Sequence, residues 1–225
     1  MPDVVVPNVL RPDPLLPQYR YNPATGRYIN AKGRFVPRKV IRGELDLILD
    51  GLTARMDLIS QGLRNGSIGI GEWQIEMMSL IKTTHLTSGA YYAGGWHNMT
   101  QADFGLVGSQ VRKEYGFLQK FAIQIENGKQ PLDGTLARRA RQYGQAGRKS
   151  FYEFADKDLK AQGFTQKRSR LTPADHCEGC VREAGKSWVA IDDKNFVPIG
   201  LRDCRSNDRC FMEYRKSARS RKVRV

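Results

Sequence analysis

Residues 41–63 read IRGELDLILDGLTARMDLISQGL, and the spacing of their apolar residues decides the fold. These residues recur at intervals of three and four, which is the spacing of one face of an α-helix. They are Ile41, Leu45, Ile48, Leu52, Met56, Ile59 and Leu63. The pair Asn65-Gly66 follows as a stop signal. The stretch therefore predicts a long amphipathic helix with one buried face.

Three further helices are expected after it, each ending in a glycine-containing stop. Their apolar series cover about residues 72–94, 100–127 and 132–163, and Thr100 opens a Thr-x-x-Asp capping motif for the second of them. Gly144 and Gly147 predict an interruption or bend in the last helix. Because the connectors are only a few residues long, a helical bundle is the expected architecture.

Composition divides the chain into a basic arm, a helical body, a cysteine-containing segment and a basic tail. Their expected bounds are residues 1–39, 40–163, 164–214 and 215–225. Seven prolines in the arm remove backbone donors and disfavour helix, so the arm is expected to be extended and held by another surface. The predicted fold class is mainly α: a helical bundle with an extended N-terminal arm and a small C-terminal cysteine-knuckle and β-hairpin segment.

The arm repeats a motif, Gly-Arg-aromatic-aliphatic, at residues 26–29 and 33–36. A glycine turn in each copy can present a guanidinium and a ring to a partner. The alternative is an idle linker without a docking role. The candidate partner-docking residues are Arg27, Tyr28, Arg34 and Phe35.

Basic residues outnumber acidic ones by 37 to 23, and the surplus is concentrated. Eighteen of the cations lie in acid-free runs at residues 15–43, 138–149 and 215–225. Such runs favour contact with a polyanion or an acidic protein surface, although solubility alone would account for any one of them. In the tail, the candidate residues for contact with DNA or an acidic surface are Arg215, Lys216, Arg219, Arg221, Lys222 and Arg224.

All four cysteines lie near the C-terminus: Cys177 and Cys180 form a C-x2-C pair, and Cys204 and Cys210 follow. Four thiolates can close around one tetrahedral ion, so one structural zinc is the expected cofactor and these cysteines are its candidate ligands. His176 could replace one thiolate. Two disulfides or free thiols stay open as alternatives, because the second pair has the spacing C-x5-C instead of a second C-x2-C.

Between the cysteine pairs, residues 187–191 and 196–200 predict two short strands around a polar turn at 192–195. Such a hairpin would bring both cysteine pairs to the same end of the segment.

The sequence contains no recognisable catalytic motif. His85 and His97 have no partner at metal-ligand spacing and are expected at the surface or half-buried. A phosphate-binding glycine loop and a nucleophile elbow are both absent, so the protein is predicted not to be an enzyme. Because no apolar run could span a bilayer and no N-terminal signal pattern is present, synthesis in a reducing cytosol is expected.

In order along the chain come a helical body, ADHCEGC at residues 174–180, VPIG at 197–200, a last cysteine pair within 204–210 and a short basic end. This order resembles the tailed-phage minor head proteins, the Mu-type head morphogenesis family. Members of that family usually end in Cys-x-x-Cys-x-Cys or His-Pro-x-Cys-Arg-Cys. This chain departs from the pattern, with Asn207 or Asp208 near the middle cysteine position.

The resemblance implies a structural virion component, made in the bacterial host cytoplasm and present in multiple copies per particle. Its partners would be capsid, portal or neck proteins of the same particle, with packaged DNA as a further partner. The implied role is head assembly or connection of portal and capsid. The alternative from another class is a zinc-ribbon nucleic-acid-binding regulator, which would need side chains presented to base edges.

Overall fold

A computed structural model of the chain describes residues 16–173, 175–204, 210–216 and 223–224. These residues are mainly helical, which confirms the predicted fold class. In chain order the elements are β1 (Arg20–Asn22), β2 (Arg27–Ile29), α1 (Arg38–Arg64), α2 (Ile70–Ala93), a 3-10 turn (Trp96–Asn98), α3 (Gln101–Glu126), α4 (Gly134–Ala161), β3 (Gln166–Arg170), α5 (Glu178–Gly185), β4 (Val189–Ala190), β5 (Phe211–Arg215) and β6 (Val223–Arg224).

Helix α1 buries nearly the whole face that its sequence predicts. The predicted residues that are at most 2% exposed are Ile41, Leu45, Leu52 and Met56. Leu49 lies at the centre of this face, whereas the predicted Ile48 is only partly buried at its edge. Pro37 precedes the helix, at a position where a missing backbone N–H breaks no helical hydrogen bond.

Helix α2 is the centre of the bundle. Residues 83–92 are all buried, because α1, α3 and α4 each pack against this helix. His85 is fully buried, so its expected place at or near the surface is wrong. Its Nδ1 atom lies 2.8 Å from Ser150 Oγ, and burial together with the charge of Lys149 lowers the pKa of His85 to about 3. The imidazole is therefore neutral at neutral pH, and the Ser150 hydroxyl beside it is fully buried as well.

Helix α3 begins with the predicted capping box. Thr100 Oγ1 accepts a hydrogen bond from Asp103 N at 3.2 Å, and Asp103 Oδ2 accepts one from Thr100 N at 2.8 Å. The helix packs mainly on α2 and buries Val107, Leu118 and Phe121 there. The capping motif read from the sequence is thus confirmed.

Helix α4 is continuous, so the predicted interruption around Gly144 and Gly147 is wrong. Both glycines serve close packing instead. A Cβ on Gly144 would overlap Thr53 of α1, and a Cβ on Gly147 would overlap Thr84 of α2. The missing side chains let α4 lie directly against both helices.

The described part of the arm packs on the bundle of this same chain. Strands β1 and β2 form an antiparallel hairpin, and the Tyr28 hydroxyl donates to Tyr91 O at 2.9 Å. Gly94, at φ 81°, ends α2, and a Cβ there would overlap the ring of Tyr21. The bundle therefore supplies the surface that holds residues 16–37.

The other four strands form an antiparallel sheet in the order β4-β3-β5-β6. One face of the sheet packs on α4, where Asp156 accepts hydrogen bonds from Tyr214 Oη at 2.8 Å and Lys167 Nζ at 2.5 Å. Burial raises the pKa of Asp156 even though the Lys167 ammonium opposes the shift. Through Asp156, Lys167 anchors β3 and Tyr214 anchors β5 to the bundle.

The predicted hairpin of residues 187–191 and 196–200 does not form. Only Val189–Ala190 is a strand, and it pairs with β3. Pro198 cannot donate to a strand ladder, and Val197 N donates to the Glu183 carboxylate at 3.2 Å instead of to another strand. The second segment is therefore an irregular loop.

Replacing Gly144 by alanine should destabilise the protein. The added methyl group would press on Thr53, whose hydroxyl donates to Leu49 O at 2.7 Å. We expect the overlap with Thr53 to lower the free energy of unfolding by about 1–3 kcal/mol. This loss should exceed the gain of about 1 kcal/mol that alanine brings through its higher helix propensity. Chemical denaturation followed by circular dichroism measures the change.

Gly105→Ala in α3 is the matched control, because the residue is exposed and a methyl group there would meet no described neighbour outside its own helix within 4 Å. It should leave the free energy of unfolding unchanged or raise it by about 0.5–1 kcal/mol. Equal losses for the two substitutions would contradict the close-packing role of Gly144.

Candidate metal centre

The C-x2-C pair lies at the start of helix α5. Cys177 is the N-cap residue, and its Sγ accepts a hydrogen bond from Cys180 N at 3.4 Å. Gly179 lies against Asp203, whose carboxylate and backbone N would be crowded by a Cβ at this position. The glycine therefore lets the chain that leads into Cys204 approach the start of the helix.

Three thiols form a first group of candidate ligands. Cys180 Sγ lies 3.2 Å from Cys204 Sγ, and Cys204 N donates to Cys177 Sγ at 3.2 Å. The three sulfur atoms all lie within 4.8 Å of one another. Disulfide sulfurs are only about 2.05 Å apart, and none of the four cysteines, all of which the structure describes, takes part in a disulfide. The group is thus a set of sulfur donors that are not joined by a covalent bond.

A second group contains His176, Cys180 and Cys210, again with all ligand atoms within 4.8 Å. The Nε2 atom of His176 lies 2.7 Å from Thr172 O, and since a carbonyl can only accept, Nε2 carries the hydrogen. The lone pair of the neutral ring is then on Nδ1, which lies 3.7 Å from Cys210 Sγ. A backbone carbonyl that fixes the tautomer in this way is the usual support of a metal-binding histidine.

The surroundings favour the thiolate form of Cys177. Partial burial raises the pKa of its thiol, but hydrogen bonds from the backbone and thiol groups of Cys180 and Cys204 outweigh that effect and lower the pKa overall. The positive end of the α5 helix dipole acts in the same direction. Deprotonated sulfur is the form that binds a metal ion.

Two buried charged residues hold the segment around the cluster. Glu183, which is 1% exposed, accepts hydrogen bonds from Lys186 Nζ at 2.8 Å and Val197 N at 3.2 Å. Arg202, also 1% exposed, donates to Val197 O at 3.2 Å and to Ser169 Oγ at 2.9 Å. These bonds join α5, the loop after β4 and strand β3 into one unit.

The four predicted ligands are brought close together but do not form one group of four. Cys177 and Cys204 belong to the first group, Cys210 to the second, and Cys180 to both. His176 is a fifth donor. In the sequence it is indicated as a candidate ligand by its position directly before the C-x2-C pair. His176 and Cys177 fall in different groups, as expected for adjacent residues.

The predicted docking residues of the arm do not share one environment. Tyr28 is only 8% exposed and bonds within the bundle, which corrects its assignment to an external partner. Phe35 is 52% exposed, Arg34 is exposed, and Arg27 Cζ lies 4.9 Å from the centroid of the Phe35 ring. The candidate surface is therefore reduced to these three residues.

The described residues of the basic end belong to β5, an inner strand of the sheet, and to β6, an edge strand, with Lys216 directly after β5. Arg215 is the last residue of β5, Lys216 follows it, and β6 pairs back so that Arg224 lies opposite Glu213. The remaining predicted contact residues, which lie outside the described part of the chain, are Arg219, Arg221 and Lys222.

No protein-family model, curated protein or solved structure matches this chain. Membership of the family suggested by the cysteine motifs therefore stays a prediction. Among the described helices, none combines the length and apolarity needed to cross a membrane. Function has to be inferred from the site itself.

Cys180→Ser should loosen the C-terminal segment, because Cys180 is fully buried and is shared by both ligand groups. A buried hydroxyl in place of the sulfur loses contacts and requires a hydrogen-bond partner. We expect proteases to cut faster within residues 164–216 while the helices of the bundle stay protected. Limited proteolysis with mass spectrometry of the fragments measures this difference.

Val181→Ser is the control, since this neighbouring side chain is 53% exposed. The control should be digested like the unaltered protein. If both variants gave the unaltered pattern, the cysteine cluster would place no constraint on the segment.

Proposed function

We propose that the protein is a non-enzymatic structural component of a tailed-phage particle, whose C-terminal segment is held by one structural zinc ion. It docks on neighbouring capsid, portal or neck proteins and touches packaged DNA through its basic end. The observation that carries the proposal is the convergence of four thiols and one imidazole, in two groups that share Cys180, within a small segment.

The donor set suits zinc. Thiolate and imidazole are the usual ligands of structural Zn²⁺, and a tetrahedral site with Zn–S bonds of about 2.3 Å places its sulfurs about 3.8 Å apart. The 3.2 Å between Cys180 Sγ and Cys204 Sγ is about 0.6 Å shorter than that spacing, so a bound ion would have to move these two sulfurs apart. Cys177, Cys180 and Cys204 would supply three thiolates. Cys210 is the proposed fourth ligand, with His176 Nδ1 as its competitor for the same position.

A structural role fits this site better than a catalytic one. Four protein ligands leave no open coordination position for water or substrate. Cys180 is fully buried and Cys210 is 2% exposed, whereas Cys177 and Cys204 are partly buried, so two of the ligands face inward from the surface. When bound, zinc would link α5 to the residues that precede β5, and its binding free energy would stabilise the folded C-terminal segment.

The purified protein should contain one zinc ion per chain, measured by inductively coupled plasma mass spectrometry. Chelation, or acidification that protonates the thiolates, should release the ion and expose residues 164–216 to proteases while the bundle stays folded. After substitution with Co²⁺, Cys210→Ser should weaken the thiolate-to-cobalt absorption, whereas His176→Asn should leave its intensity unchanged. A protein that retains no metal under reducing conditions would overturn the zinc assignment.

The particle role is supported by the order of motifs that resembles minor head proteins and by the exposed end of the arm. Phe35 and Arg34 project from a hairpin that the bundle holds in place, so their position is fixed before any partner arrives. Pre-ordered side chains lose less entropy on binding than those of a free linker. An exposed aromatic ring beside guanidinium groups is a common anchor at protein interfaces.

Purified particles should contain the protein in multiple copies, which quantitative mass spectrometry measures. Arg34→Ala combined with Phe35→Ala should reduce the copy number several-fold, because both side chains are removed from the docking surface. Leu58→Ala is the control, since Leu58 is also 52% exposed but lies on α1. Absence of the protein from particles would refute the virion role, and equal incorporation of all variants would refute the docking surface.

A further inference from the structure

The two faces of the C-terminal sheet differ in charge. Because side chains alternate along a strand, Lys167 and Ser169 of β3 point toward α4 together with Met212 and Tyr214 of β5. The opposite face carries the other residues of these two strands. They are Gln166, Arg168, Arg170, Phe211, Glu213 and Arg215.

Two arginines on this second face contact one carboxylate. Arg168 Nε lies 2.8 Å from Glu213 Oε2, and Arg170 Nε lies 3.9 Å from the same oxygen. Glu213 is only 2% exposed, so its charge is covered by its neighbours. Solvent on this side of the sheet therefore meets mainly positive charge.

Trp188 orients two arginines of the face. The Cζ atoms of Arg168 and Arg215 lie 4.5 Å and 4.3 Å from the centroid of its ring. Arg215 Nε also donates to Gln166 Oε1 at 2.7 Å. Cation–π contacts and these hydrogen bonds hold the planar groups in fixed positions. Guanidinium has five N–H donors, so each arginine keeps donors beyond the ones that these bonds use.

The sequence continues with further cations directly after this face. Arg215 begins the acid-free run 215–225, and β6 returns this run to the sheet with Arg224 opposite Glu213. Arginine suits phosphate better than lysine does, because its planar fork can donate two parallel hydrogen bonds. A fixed row of guanidinium groups fits a repeating polyanion better than it fits a single small anion.

We propose that this face, formed by Arg168, Arg170 and Arg215 around Trp188, binds the phosphate backbone of duplex DNA without sequence preference. The inference deepens the DNA contact of the proposed function, and it adds β3 and Trp188 to the basic end. Binding in solution needs no particle, so its failure would leave the zinc and virion tests unaffected.

The test measures binding of the full-length protein, as purified under reducing conditions, to a short fluorescein-labelled DNA duplex of mixed sequence, by anisotropy over a range of salt concentrations. Arg170→Gln combined with Arg215→Gln keeps the Arg168–Glu213 pair and therefore the fold of the sheet. Because each lost phosphate contact lowers the salt slope by about 0.9, the slope should fall by about 1.8 and the affinity by about tenfold at moderate salt. A second duplex of different sequence should bind equally well.

Arg55→Gln combined with Arg112→Gln removes the same net charge from exposed positions on α1 and α3 and should change binding little. Trp188→Leu keeps all charges but frees the guanidinium groups, so it should weaken binding several-fold. Equal losses for the two arginine pairs, or equal competition by polyglutamate of matched charge, would overturn the proposal. Marked preference for one DNA sequence would overturn it too, in favour of a regulator that reads bases.

Discussion

Helix α4 can lie against both α1 and α2 only because two of its central residues have no side chain. Gly144 faces Thr53, and Gly147 faces Thr84, at distances that would not admit a methyl group. Because the helices lie so close together, polar side chains next to the glycines are buried and need hydrogen-bond partners inside the bundle. Gln145 Nε2 accordingly donates to Thr53 Oγ1 at 3.1 Å. The backbone contact and the buried hydrogen bonds therefore specify one alignment of the three helices.

The other side of α4 carries the C-terminal segment. Asp156 receives hydrogen bonds from Lys167 of β3 and Tyr214 of β5, and Tyr152 Oη lies 3.5 Å from Cys210 O. One helix thus positions both the core of the bundle and the sheet beside the cysteines. A shift of α4 along its axis would move these anchors together, so the alignment set by its glycines is transmitted to the candidate metal centre.

The sequence predicts those parts of the fold that depend on local spacing. The apolar face of α1 and the capping box of Thr100 are of this kind, because each is read within one element. Gly144 resembles a helix breaker in the sequence, since the residue that requires its missing side chain, Thr53, is distant along the chain. Strand β3, with the sequence QKRSR, has no apolar alternation, because its two buried residues are polar: Lys167 pairs with Asp156, and Ser169 accepts a hydrogen bond from Arg202. The cysteine spacing predicts the four thiol donors. It does not predict that Cys180 belongs to two groups, one with Cys177 and Cys204 and the other with His176 and Cys210.

The C-terminal segment buries unusual amounts of charge for its size. Lys167, Glu183, Arg202 and Glu213 are each at most 7% exposed. Buried ion pairs specify geometry but add little net stability, because desolvation offsets their attraction. The segment shares its apolar residues, among them Phe196, Met212 and Tyr214, with the core of the bundle, and the proposed zinc ion would add free energy through a few strong bonds. Cys210 directly precedes β5, so a constraint on its sulfur also fixes the strand that carries Arg215. The proposed zinc and the basic face are therefore coupled through a single strand.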